Sequence, residues 1–274
     1  MAASNNPALN RVSAFRAGGA PQPVDPSTVG QGPDLEALFN ARSAGSAETG
    51  RMTYEDTVVK TVALFAVLLA TGVVAWFVPA LTIVGAIVGL VLGLVNAFKR
   101  KPSAALIVMY AAAQGLFLGG ISRIFEQVFG GVVVQAVIAT LGVFGVMLAL
   151  FASGKVRASN RLTKVFLGAM IGYAVYSLVN VGLMVFGGVS SDLAFGLNSM
   201  TFMGIPLGLI VGVLAVLMGA YSLVLDFEFI KNGVENRVPR AYGWQGAFGL
   251  MVTLIWLYVE FLRLFAILSG GGRN

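Results

Sequence analysis

Seven stretches of almost unbroken apolar residues cover the chain at residues 57–78, 80–98, 103–125, 131–152, 165–187, 204–230 and 246–268. Runs of this length predict membrane-spanning helices, because the hydrocarbon core of a bilayer takes about 20 helical residues, whereas barrel strands would be about 10 residues long and alternating. The breaks between the runs carry the expected chemistry: Pro79, then the basic loop Lys99, Arg100, Lys101 with Pro102, then Gly130 and Gly131, then the polar segment 154–164. A Gly/Ser-rich stretch at 187–199 and a polar hairpin at 231–240, KNGVENRVPR, separate the last three runs. The pattern predicts an all-α membrane protein, a bundle of seven transmembrane helices.

The first 50 residues lack such periodicity and are rich in Ala, Ser, Asn, Gly and Pro, a composition that cannot build a packed core. They are expected to form a disordered cytoplasmic tail, in which only residues 34–45 could make a short amphipathic helix with Leu35, Leu38 and Phe39 on one side. Residues 51–270 then form the transmembrane domain and 271–274 a short carboxyl-terminal tail. The first run resembling a leader's apolar region begins only near Val58, so no signal peptide is expected.

Composition sharpens this picture. The chain of 274 residues is 57% hydrophobic and 11% charged, with 35 glycines and a mean hydropathy of +0.86, values outside the range of soluble domains. There is no cysteine and no histidine, which closes the routes through disulfides, thiolate metal sites, cysteine nucleophiles and histidine proton shuttles. Titratable chemistry falls to carboxylates, and no enzymatic activity and no cofactor are expected. The net charge of +6 points to orientation before nucleic acid. With the amino terminus inside, 15 of the 18 Lys and Arg fall in inner regions, Lys60, Arg237 and Arg240 among them, and only Arg123 and Arg273 fall outside. The positive-inside rule therefore predicts an inside amino terminus and an outside carboxyl terminus.

Glycines at intervals of four (Gly85, Gly89 and Gly93; Gly115 and Gly119; Gly208 and Gly212) predict faces where helix backbones approach closely. Against this apolar background a few polar positions stand out. Asp226 and Glu228 lie near the inner end of the sixth run, in YSLVLDFEFI, and point to different sides of a helix because they are two residues apart. Glu260 lies well inside the seventh, with Arg263 three positions on and on the same face. Charges within hydrocarbon-length segments cost about 2.5–3.5 kcal/mol or more on insertion scales and usually mark an ion or proton pathway. In the third run, Gln114 is read as a hydrogen bond between helices, beside Tyr110, Ser122 and Arg123.

The stretches VLDFEFIKNG and LYVEFLRLFAIL together resemble the Bax inhibitor family, the transmembrane Bax-inhibitor-motif proteins with their YccA-like bacterial membrane members. In that pattern an Asp near the inner end of the sixth helix precedes a polar hairpin, and the last helix reads approximately L-Y-L-D-F-I-N-x-F. Asp226 matches the first carboxylate and Glu260 the second, flanked by Tyr258 and Phe261. The basic loop 99–101 and the Gly-rich AAAQGLFLGGIS of the third run are also similar, so the resemblance covers roughly residues 55 to 270. The chain departs from the pattern in having Glu260 for Asp, Arg263 where Asn is usual, a longer hairpin and a long amino-terminal tail.

The resemblance implies a multi-pass protein of a bacterial plasma membrane that acts as a pH-sensitive cation leak channel, with Ca²⁺ as the transported ion. Asp226 and Glu260 would share a proton over the pore. Two touching carboxylates in a low-dielectric site cannot both be ionised cheaply, so protonation becomes a switch. Bringing the pair to one level would require the seventh span to begin near Val252, leaving much of 233–249 as a re-entrant, interfacial or cytoplasmic helical piece. The alternative is a non-transporting regulator of another membrane protein, such as a membrane-bound protease. The lipid bilayer is then a partner and nucleic acid is not. An intramembrane protease is disfavoured because a paired-aspartate site needs two, and Asp226 is the single Asp within the apolar runs. A coupled transporter lacks visible inverted repeats.

Overall fold

The computed structural model describes residues 50–187 and 195–271. The expectations for the amino-terminal tail, including its short helix, and for residues 272–274 lie outside the described residues. Seven helices long and apolar enough to cross a membrane follow one another: α1 (Tyr54–Phe77), α2 (Leu81–Phe98), α3 (Ala104–Phe129), α4 (Val132–Ala152), α5 (Asn160–Val185), α6 (Leu207–Glu235) and α7 (Tyr242–Gly271). A 3-10 turn, Gly196–Ser199, and a two-stranded hairpin, β1 (Thr201–Phe202) with β2 (Ile205–Pro206), lie between α5 and α6.

The helix ends follow local chemistry. Thr53 Oγ1 accepts from the amide of Asp56 at 3.2 Å and caps α1, whose first turn carries Glu55 and Asp56 against the positive end of the helix dipole. Ser159 caps α5 through Leu162 N. Val78, forced out of the helical region by Pro79, ends α1. The α3–α4 turn needs Gly131 at φ 86°, and the Glu126 side chain caps the start of α4, accepting from Gly131 N at 2.6 Å and Val133 N at 3.2 Å. In the β1–β2 hairpin, Met203 and Gly204 both have positive φ, as a two-residue turn between twisted strands requires.

Helix α7 is the axis of the bundle. Ala247, Met251, Leu257, Leu262 and Ala266 are fully buried along its length, and it packs against α1, α3, α4 and α6. Helix α2 lies outside α3, meeting it through the predicted glycine face: methyl groups built on Gly85, Gly89 and Gly93 would strike the α3 backbone at Phe117, the Gln114 side chain and the Tyr110 ring. The Gly115 and Gly119 face meets α1, where Gly119 lies against the Gly72 carbonyl. Helix α5 is peripheral, with Asn180 its one buried residue among those described.

The α6–α7 pair has a single antiparallel register. Gly246 packs on Ile230, Gly249 on Asp226, Gly219 on Leu257, Gly212 on Leu264 and Gly208 on Ile267. Over 233–249 the backbone is helical on either side of a short hairpin, so of the forms expected there the re-entrant one is not adopted. Helix α6 runs on to Glu235 and α7 begins at Tyr242, because Lys231 and Glu235 form an i,i+4 pair at 3.8 Å and because Gly233 and Gly246 pack around the buried Met52 side chain. The backbone of residues 50–52 pairs with the hairpin, Met52 N donating to Val238 O at 2.8 Å and Arg240 N to Gly50 O at 2.9 Å.

Candidate functional site

Asp226 faces α7 where glycine lets the helices close, and Thr253 Oγ1 donates to its Oδ2 at 2.6 Å. The Thr253 hydroxyl is itself 3.1 Å from Ser222 Oγ, so a short chain of hydroxyls ends on the carboxylate. Among the described residues no Lys or Arg lies within ion-pair distance of Asp226. The Thr253 hydroxyl that donates to it is neutral, which leaves a negative charge there uncompensated. Glu228 lies on another side of α6, and its buried Oε2 has no hydrogen-bond partner among the described residues.

Glu260 is in the opposite condition. It is 3% exposed, accepts from Arg263 Nη2 at 2.5 Å and also accepts from the Tyr173 hydroxyl on α5, and the Tyr173 ring packs on Trp256. Arg263 and Tyr173 together neutralise and saturate it, as a buried carboxylate requires. The seam register puts Ala215, not Asp226, level with Glu260. Asp226 is level with Gly249, and the 11 residues from Gly249 to Glu260 span about 16 Å at 1.5 Å per residue. The expected contact between Asp226 and Glu260 is therefore corrected: the two carboxylates have separate partners at separate heights. The reason lies in the distances from the hairpin: Asp226 is about 9 residues before the end of α6 and Glu260 about 18 after the start of α7, so an antiparallel pair cannot set them level.

The supporting positions are distributed around α7. The Tyr258 hydroxyl lies 2.6 Å from Ser122 Oγ and joins α7 to α3, while Gln114 fills the space above Gly89 on α2. Neither touches Asp226 or Glu260. Arg123 Nη1 donates to Trp76 O at 2.6 Å and closes the end of α1.

A cluster absent from the sequence reading joins the start of α1 to the hairpin. Asp56 Oδ1 accepts from Arg240 Nε at 2.8 Å and Nη2 at 2.7 Å, its Oδ2 accepts from Lys60 Nζ, and Lys60 Nζ donates to Arg240 O at 2.9 Å and lies 5.5 Å from the centre of the Trp244 ring. Asp56 and Lys60 are both buried. The i,i+4 spacing of these two inside an apolar helix was the available signal; Arg240, 184 positions from Asp56, was invisible to it. Two cations counted for orientation thus also hold the structure together.

Seven membrane-length helices around a partly buried, weakly compensated carboxylate define an integral, multi-pass helical membrane protein with polar groups inside its bundle. The family model described as Bax inhibitor 1 like matches residues 6–270, and the chain belongs to that family. No curated protein matches the chain.

Proposed function

We propose that the chain forms a cation leak across a bacterial plasma membrane, with Ca²⁺ as cargo and Asp226 as the group that makes the leak respond to pH. The observation that carries this reading is the contrast between the two carboxylates: Glu260 is matched by Arg263 and Tyr173, whereas Asp226 has one neutral hydroxyl donor. A carboxylate held this way inside a bundle either keeps a proton or attracts a cation. Hard oxygen ligands suit Ca²⁺. The amino-terminal end of α1 and the hairpin are assigned to the cytoplasmic side from the loop cations.

Ionised Asp226 offers its charge to a passing cation and protonated Asp226 does not, so the leak falls as pH is lowered through the titration of this group. Purified protein in liposomes holding a Ca²⁺ dye, assayed over a pH series, tests this. Asp226→Asn is expected to give a low, pH-independent leak, and Glu260→Gln to keep the wild-type pH response in whatever protein remains folded. An unchanged pH response in Asp226→Asn would remove the assignment. Wild-type protein that passes no cation at any pH would favour the regulator of a membrane-bound partner instead.

A further inference from the structure

A lateral groove of about 600 Å³ opens between α1 and α4, floored by α3 and α7. Its rim is formed by Leu69, Val73, Val137 and Leu141, all exposed, and its floor by the buried Leu118 and Ile255. The hydroxyls on its wall are already satisfied: Ser122 with Tyr258, and Thr140 with the Ala136 carbonyl. With no polar group to hold it, water gains nothing there, and the volume is that of an ordinary small-molecule pocket. Along α1 the lining runs from Phe65 to Phe77, 12 residues or about 18 Å of helix, close to the half-thickness of a hydrocarbon core of about 30 Å.

A cation lies beside one end of the groove. Trp76 and Phe77 close it, and the Arg123 guanidinium is fixed there by its bond to the Trp76 carbonyl. Among the described residues no carboxylate lies within ion-pair distance of Arg123. Glu126, one turn further along α3, has its oxygens turned to the amides of Gly131 and Val133. A cation at the end of a leaflet-long apolar groove matches an anion carrying a hydrocarbon chain.

We propose that this groove is a phospholipid site, in which one acyl chain of an anionic lipid lies between α1 and α4 and its phosphate pairs with Arg123. The site shares no residue with Asp226 or its partners and does not depend on the leak. Delipidated protein in detergent, titrated with phosphatidylglycerol and with diacylglycerol of the same chains and followed by native mass spectrometry, measures it directly. Wild-type protein is expected to bind one phosphatidylglycerol in preference to diacylglycerol. Arg123→Gln should weaken that binding about fivefold, the worth of one basic residue at a membrane surface, and erase the preference. Val137→Trp, which fills the groove from its exposed rim, should lower the binding of both lipids. Leu178→Trp, on the exposed surface of α5, should change neither. Equal binding of the two lipids by wild-type protein, or a loss in only one of the Arg123 and Val137 variants, would overturn the site.

Discussion

At the scale of single residues, what separates Asp226 from Glu260 is the identity of the nearest donor. Glu260→Ala removes the one carboxylate that pairs with Arg263 among the described residues, where the buried Arg263 Nε also has no partner, and an uncompensated buried charge costs about 3–5 kcal/mol. Replacing Glu260 and Arg263 together by Leu and Met should recover most of that loss, which thermal unfolding of the detergent-solubilised variants would measure. Equal destabilisation by the single and the double replacement would show that the pair contributes nothing as a pair. The i,i+3 spacing made the Glu260–Arg263 pair legible in the sequence. The Tyr173 contact was not, because it comes from a helix 87 positions away, and neither was the choice of Thr253 as the partner of Asp226.

At the scale of elements, glycine spacing was a good guide to which helix faces touch, since a close backbone approach leaves no room for a side chain whatever the partner is. It did not say which glycines are used. A methyl group on Gly119 would overlap the Gly72 backbone on α1, whereas one on Gly142 of α4 meets nothing within 4 Å. Gly119→Ala should therefore destabilise by about 1–3 kcal/mol through overpacking. Gly142→Ala should be neutral or stabilise by up to about 1 kcal/mol through helix propensity. The same melting assay decides between them, and equal effects at the two sites would contradict the α1–α3 packing. The helices α6 and α7 outrun the hydrophobic runs for a related reason: residues 231–235 and 242–245, with Asn232, Gly233 and Gly243 among them, are poor helix formers by propensity, and packing of Gly233 and Gly246 on the buried Met52 continues the helices through them.

At the scale of the whole molecule, the Asp56, Lys60 and Arg240 network joins the first membrane helix to the hairpin of the last two. Asp56→Ala would leave Lys60 buried without its counter-ion and should destabilise more than Asp56→Leu combined with Lys60→Met, in which neither charge remains. Unfolding midpoints that do not distinguish the two would mean the network is incidental. Orientation follows from the distribution of cations over loops: reporters fused at Gly154 and at Gly270 should lie on opposite faces, Gly154 inside, because three helices separate the two points. Reporters on the same face would refute the seven-span topology.

Read along the chain alone, the residues already specify a membrane protein of seven helices, the glycine faces on which they meet and the few charges that lie within them. These follow from hydrophobicity and spacing along one chain, and the bilayer enforces them on each helix separately. Which charges meet is set by how the helices pack. The register of α6 against α7 depends on helix lengths set by packing around Met52, and a change of about three turns in that register is the difference between a carboxylate pair and two carboxylates with different partners. Contacts between residues far apart in the chain, such as Asp56 with Arg240, leave no periodic trace, and the groove between α1 and α4 exists because other helices hold those two apart.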